Sequence, residues 1–421
     1  MLRDRDPFHT HEGNGFDAVR PSESRHPYID ALPHELETAH FNVGLGPGFS
    51  RRVFLSGMSC GLLCGGLGSG SLTARQNGGA DEERYTLEAS FYEKLPHKKI
   101  RCKLCPRECV IDDAERGYCG VRENRGGVYY SLVYARPCTT HIDPIEKKPF
   151  FHFLPGTMAF SMATAGCNVN CKFCQNWQIS QVRPEQIRSI YMPPERVANS
   201  AWDSRCVSIA YTYSEPIIFY EFMRDTAKAA RRKGVKSVVV TGGYIAQEPL
   251  KELCTLVDAI KVDLKAYSED YYKNLVNGEL RPVLDALVTM KEAGTWTELV
   301  YLVVPTLNDS DSELQGLAKW IKTELGPDVP LHFSRFHPQY LLKNLPPTPI
   351  STLERAKEIA DAEGLNFTYI GNVPGHDAEN TYCPGCGELV IERTGYLIKA
   401  NKIRNDRCSG CDRLIPGVWS T

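Results

Sequence analysis

The chain has no excess of charge. Forty-nine Lys and Arg residues face 51 Asp and Glu over 421 residues, a formal net charge of -2. So near neutrality there is no global field to draw in nucleic acid or an anionic membrane, and such a contact would need a local basic patch. The chain also lacks an uninterrupted apolar run of membrane-spanning length, so no transmembrane helix is expected. A usable core is not missing. At 42% hydrophobic and 24% charged the sequence is globular, with room for roughly two to three domains.

Cysteine, by contrast, is abundant, with 16 residues. Short secreted domains use such numbers as disulfides because their cores are too small; a chain this long does not need them. Eleven instead form three tight sets: Cys102, Cys105, Cys109 and Cys119; Cys167, Cys171 and Cys174; and Cys383, Cys386, Cys408 and Cys411. Cys60, Cys64, Cys138, Cys206 and Cys254 remain, of which Cys206 and Cys254 read as small buried hydrophobes. The middle set is the most informative, with C-x3-C-x2-C spacing in Gly166-Cys-Asn-Val-Asn-Cys-Lys-Phe-Cys174. An iron-sulfur cube that only carries electrons has a thiolate on each iron. Three cysteines leave one iron open, and an open coordination position is what separates catalytic from structural metal sites.

Residues 1–49 are polar and without periodicity, and read as disordered. Ser50-Arg-Arg-Val-Phe-Leu55, followed by a glycine-rich, weakly apolar stretch, has the layout of a twin-arginine export signal at 50–75, although an ordinary flexible leader reads equally well. The leader is taken as residues 1–85, followed by a Cys-rich N-terminal module at 86–156, a core at 157–375 and a four-cysteine module at 376–421. Cytoplasmic activity is expected unless the export signal operates.

Within the core, short β-branched runs alternate with amphipathic helical stretches. Strands are predicted at 158–164, 207–211, 235–241, 259–263, 299–304, 331–336 and 367–370, and helices at 216–233, 248–256, 281–293, 312–325 and 352–363. Gly234, Gly294, Gly326 and Gly364 stand where left-handed helix caps belong. The alternation implies parallel strands joined by crossover helices in an α/β, barrel-like array, with functional residues at the C-terminal strand ends. Cys167, Glu215, Thr241, Gly242, Asp263, Lys265, Asn308, Asp309, His337, Gly371 and Asn372 all fall at such ends. Each alone would be a cap or turn residue. Together they ring one mouth, which points to an enzyme.

The flanking cysteines make separate sites. Cys383-Pro-Gly-Cys386 and Cys408-Ser-Gly-Cys411 have the C-x2-C, spacer, C-x2-C pattern of a closed structural zinc ribbon, with strand-like runs at 388–392 and 396–399 between them. Cys102, Cys105, Cys109 and Cys119 are spaced C-x2-C-x3-C-x9-C, which suits either zinc or a second iron-sulfur centre.

The three-cysteine loop after the first strand of a repeated β/α unit resembles the radical S-adenosylmethionine (radical SAM) superfamily. Asp258-Ala-Ile-Lys-Val-Asp-Leu-Lys265, Leu302-Val-Val-Pro-Thr-Leu-Asn-Asp309 and Thr241-Gly-Gly-Tyr244 are similar to pyruvate formate-lyase activating enzymes. Asp143-Pro-Ile-Glu-Lys-Lys-Pro-Phe150, Phe153-Leu-Pro-Gly156, Cys174-Gln-Asn-Trp177 and Leu331-His-Phe-Ser-Arg-Phe336 resemble the AmmeMemoRadiSam system radical SAM enzymes, a likeness spanning about residues 95–419. The resemblance implies a partial TIM-type (βα)6 barrel, a [4Fe-4S] cluster on Cys167, Cys171 and Cys174, and S-adenosylmethionine on the open iron. It also implies that Glu215 pairs the cosubstrate ammonium, although Tyr213 and Ser214 replace the family's glycine pair before it. Asp263 and Lys265 match an element around the ribose and carboxylate, and read equally well as a strand-end salt bridge. His337 aligns with a cosubstrate-contacting histidine, Phe173 with the aromatic on the adenine, and Thr241 joins the cofactor-binding set. The implied partners are a small-molecule or protein substrate, a reductant such as flavodoxin or ferredoxin, and AmmeMemo-system companion proteins. A glycyl-radical-enzyme activase or an RNA-modifying radical enzyme is the alternative, the latter disfavoured by the charge.

Overall fold

The computed structural model describes residues 82–420. The export signal expected at 50–75, and Cys60 and Cys64, lie outside these residues. The end of the expected leader does not: Tyr85 is buried, and Arg136 donates to Glu82 at 2.5 and 3.0 Å.

An eight-stranded sheet organises the fold. Its strands are β1 (Thr139–Pro144), β2 (Met158–Ala163), β3 (Ser208–Tyr211), β4 (Lys236–Thr241), β5 (Ala259–Asp263), β6 (Trp296–Val303), β7 (Leu331–Arg335) and β8 (Thr368–Gly371). They lie side by side in sequence order. All pairings from β2 to β8 are parallel, and only β1 runs antiparallel, with Thr139 opposite Ala163. The parallel strands follow the predicted seven closely because β-branched runs buried on both faces are what such a sheet requires. The crossovers contain α1 (Pro194–Asp203), α2 (Tyr220–Arg232), α3 (Gln247–Leu256), α4 (Leu280–Glu292), α5 (Asp311–Trp320) and α6 (Ile350–Ala362).

Two elements escaped the sequence reading. Helix α1 begins at Pro194 and buries Val197, Ala198 and Ala201, a face too small to stand out as an apolar stripe. Strand β1 has exposed residues at His141 and Ile142, so its alternation is broken. The expected helix at 216–233 opens with a 3-10 turn, Pro216–Phe219, and that at 312–325 ends in a π turn, Ile321–Leu325. The four cap glycines all have positive φ, from 71° to 98°, where a Cβ would be strained. No helix among the described residues is long and apolar enough to cross a membrane.

Two small modules pack on this core. Before β1, antiparallel ribbons carry the first four cysteines, and the module is held to α2 by Arg122 and Glu221, 1% and 0% exposed, at 2.5 Å. Glu221 also accepts from the Ser90 amide at 2.7 Å. After β8, Thr381–Tyr382, Leu389–Thr394 and Leu397–Asn401 form an antiparallel sheet that joins the N-terminal ends of the core strands. Arg393 donates to the Phe151 carbonyl at 2.8 Å, and His152 bonds Pro416 O at 2.7 Å and Tyr369 Oη at 2.6 Å. Glu298, near the start of β6, accepts from the Phe151 and His152 amides at 2.9 Å each and pairs with His332 of β7 at 2.9 Å. Arg393, Phe151, His152, Tyr369, Glu298 and His332 are all buried, and each Glu298 oxygen has two partners, which is what makes a buried charge tolerable.

Candidate active site

The three-cysteine loop leaves the C-terminal end of β2. Gly166 makes the turn at φ +95°. A Cβ there would meet the Cys119 carbonyl at 2.7 Å and Val121 Cγ1 at 2.6 Å, so only glycine fits. The loop is then pinned by backbone bonds: Asn170 N to Val276 O at 3.0 Å, Lys172 N to Leu275 O at 2.8 Å and Cys174 N to Cys171 O at 3.1 Å. The Asn168 side chain donates to Tyr244 O at 2.7 Å. A second loop, after β7, covers it. Leu341 N donates to Lys172 O at 2.9 Å, and Tyr340 stacks on Trp177 with ring centroids 5.3 Å apart.

Neighbouring strand ends bring the expected polar residues to this loop. Glu215 is 4% exposed; one oxygen accepts from Thr241 Oγ1 at 2.6 Å and the other from Gly242 N at 2.9 Å. Burial raises its carboxyl pKa against these bonds and the pull of Lys265. Asp263 lies between two lysines, bonded to Lys261 and, at 3.0 Å, to Lys265. Burial alone would push its carboxyl up, yet the two lysine charges hold it at about 2. Its side chain is 29% exposed, so solvent screening weakens the pairs. Lys265, desolvated but facing Asp263 and Cys171, is held above the usual lysine value. The Cys171 thiol is pushed up to about 12, first by burial, with Lys265 opposing and Cys174, Asp263 and Glu215 adding to it. The parallel order β2-β3-β4-β5 sets side by side the C-terminal ends that lead to the three thiols, Glu215, Thr241 and Asp263 with Lys265.

Other expected residues sit less directly. Phe173 is 4% exposed with its ring against Tyr271 at 5.8 Å, and His337 is exposed in the loop after β7. Thr241 reaches the site through Glu215. Asn308 ties strand ends together, donating to the Lys265 and Leu302 carbonyls at 3.0 and 2.9 Å.

Two groups were missed by the sequence reading. Lys261 is 3% exposed and shares a face with Asp263 and Lys265; the Lys-x-Asp-x-Lys alternation was the available clue. The second group joins distant segments. Asp143 accepts from Lys147 at 2.8 Å, Lys148 at 2.6 Å and Tyr213 Oη at 2.5 Å, and these bonds outweigh burial and hold its carboxyl far below the usual range. Burial lowers Lys148 to about 8 despite Asp143. No spacing in the chain links Tyr213 to Asp143.

The family profile of the radical SAM superfamily matches residues 162–320, the stretch that carries the three thiols, Glu215, Asp263 and Lys265. An uncharacterized protein of Methanocaldococcus jannaschii is 49% identical over 332 residues, which cover 78% of this chain and 98% of that protein. The chain belongs to the radical SAM superfamily. It is an S-adenosylmethionine-dependent iron-sulfur enzyme, homologous to radical SAM activating enzymes. The pyruvate formate-lyase 1-activating enzyme of Escherichia coli is 22% identical over 218 residues, 47% of this chain and 87% of that enzyme. A crystallised domain of a pyruvate formate-lyase-activating enzyme from Bacteroides vulgatus aligns over 39% of this chain and 98% of its own, at 16% identity and a TM-score of 0.35.

The C-terminal cysteines form a different kind of site. Cys383 and Cys411 sulfurs are 3.6 Å apart and those of Cys386 and Cys408 3.7 Å, and all four lie within 4.8 Å of one another. Tetrahedral zinc with bonds of about 2.3 Å separates its sulfurs by about 3.8 Å, so the set fits one metal ion. The two knuckles match: Gly385 N points to Cys383 Sγ at 3.4 Å and Gly410 N to Cys408 Sγ at 3.3 Å.

Proposed function

We propose that the core is a partial (βα)6 barrel in which Cys167, Cys171 and Cys174 hold three irons of a [4Fe-4S] cluster, with S-adenosylmethionine on the fourth. Together the cluster and cosubstrate supply a 5'-deoxyadenosyl radical that takes hydrogen from a substrate. The observation that carries this reading is the convergence of three thiols with one buried carboxylate and a lysine-flanked aspartate at the C-terminal strand ends.

The residues divide the work by charge. Glu215, fixed by Thr241 and Gly242, presents a carboxylate for the ammonium of the cosubstrate. Lys265 and Asp263 offer a cation for its carboxylate and an acceptor for its ribose hydroxyls. Phe173 would supply an aromatic face for the adenine and His337 a polar contact to the cosubstrate. The Tyr340–Trp177 stack and the Leu341–Lys172 bond hold the loop after β7 against the thiol loop, where it would help keep water from a reactive radical. Electrons come from a carrier of the flavodoxin or ferredoxin type. The C-terminal four-cysteine module is a zinc ribbon with a structural role, because it joins the strand ends opposite the thiols.

A reconstituted, reduced sample tests the reading. Adding S-adenosylmethionine should change its electron paramagnetic resonance (EPR) signal, and Glu215→Gln should weaken cosubstrate binding about tenfold, as loss of a charged hydrogen bond would. An unchanged signal contradicts the assignment. Two named relatives, the pyruvate formate-lyase and benzylsuccinate synthase activating enzymes, favour a second reading in which the hydrogen comes from a glycine of a partner protein. An AmmeMemo-type companion is the first such partner to try, with a glycyl EPR doublet as the readout.

A further inference from the structure

We propose that Cys102, Cys105, Cys109 and Cys119 hold a second four-iron cluster, which hands single electrons to the centre at Cys167, Cys171 and Cys174. The relay half rests on the reading of that first centre given above. The four cysteines are free thiols, and all four line one shared cavity.

The sulfur spacing favours a cube over a single ion. Among the described residues only the C-terminal set draws its sulfurs within 4.8 Å of one another, and the N-terminal set does not. One zinc needs its thiolates about 3.8 Å apart. A cube takes its thiolates at its corners, and so holds them farther apart. The cavity wall also carries polar groups with no protein partner. Arg122 and Asn168 are each 1% exposed and line the cavity, yet Arg122 Nε and Asn168 Oδ1 make no hydrogen bond. An N–H donor beside cluster sulfurs is one of the means by which proteins set a cluster's potential. Arg107, also on the wall, adds a cation beside the four thiolates, while the charge of Arg122 is already matched by Glu221.

Location supplies the function. Asn168 follows Cys167 directly, and Arg107 Nε donates to Asn168 O at 2.5 Å. On the other side the Cys119 carbonyl is packed so closely on Gly166 that no Cβ fits. The segments that carry the two thiol sets are therefore in direct contact at Gly166 and Asn168. In the relay, one electron leaves a reduced flavodoxin- or ferredoxin-class carrier, reduces the second cluster and passes to the first. No bond forms or breaks, and the second cluster returns to its oxidised state.

Iron and zinc analysis of the anaerobically reconstituted full chain, with EPR, tests this. The wild type should hold about eight irons and one zinc. Cys105→Ala/Cys109→Ala should hold about four irons with an S-adenosylmethionine-sensitive signal, and be reduced at least tenfold more slowly by flavodoxin but not by dithionite. Cys167→Ala/Cys171→Ala/Cys174→Ala should keep about four irons whose signal ignores S-adenosylmethionine. If the first double variant does not fold, the triple variant still decides. A wild type with about four irons and two zincs, or a triple variant without iron, overturns the second cluster; an unchanged flavodoxin rate overturns the relay. If the triple variant keeps its iron while the wild-type signal ignores S-adenosylmethionine, the second cluster stands and the reading of the first centre fails.

Discussion

Tyr213 shows how a residue can depart from a family pattern and keep its geometry. It stands where the superfamily has a glycine, and its φ of +67° is the left-handed conformation glycine would supply. For a residue with a Cβ that backbone costs on the order of 1–2 kcal/mol. The tyrosine offsets it by bonding Asp143 at 2.5 Å and Lys148 at 3.1 Å, while Asn176 donates to its carbonyl at 2.9 Å. We expect Tyr213→Phe to lower stability by about 1–2 kcal/mol, since Asp143 is 5% exposed and loses a donor. Urea unfolding of the full chain checks this, and an unchanged midpoint would show that the hydroxyl carries none of the offset. Glu221→Gln is expected to cost more, about 3 kcal/mol, because it leaves Arg122 buried without its counter-charge.

At the scale of elements, the crossover pattern was legible because it follows from local chemistry. Doubly buried parallel strands read as β-branched runs, and glycines with positive φ end the helices between them. The placement of the three thiols, Glu215, Asp263 and Lys265 at or after C-terminal strand ends was legible for the same reason, since it follows from where each strand stops. The Tyr213–Asp143 pair was not, because tertiary packing joins its two distant segments; Lys261 was missed although its partner Asp263 is two residues on. The network under the sheet was equally hidden, and it has a pH signature. Burial lowers His152 from 6.5 to about 4 and also lowers His332. Both histidines are therefore neutral when folded, and an unfolded chain binds protons first as pH falls. Stability should be full above about pH 6.5 and fall toward pH 4, by on the order of 3 kcal/mol for His152 alone. Urea midpoints at pH 7 and pH 5 measure it; a midpoint that rises on acidification would contradict the neutral-histidine account.

For the whole molecule, the modules meet opposite ends of the core. The N-terminal cysteines abut the three-cysteine loop, whereas the C-terminal set joins the strand starts through Arg393, His152 and Glu298. Cys383→Ser should therefore release about one zinc and lower the melting temperature by several degrees, while cosubstrate cleavage survives below the new melting point. The most direct measurement of the central claim follows from the same contrast. Wild type, Cys383→Ser and Cys171→Ala are reconstituted anaerobically, reduced chemically and given S-adenosylmethionine, and 5'-deoxyadenosine is quantified. The first two should produce it and Cys171→Ala should not; 5'-deoxyadenosine from Cys171→Ala, or none from the wild type, would contradict the site assigned here.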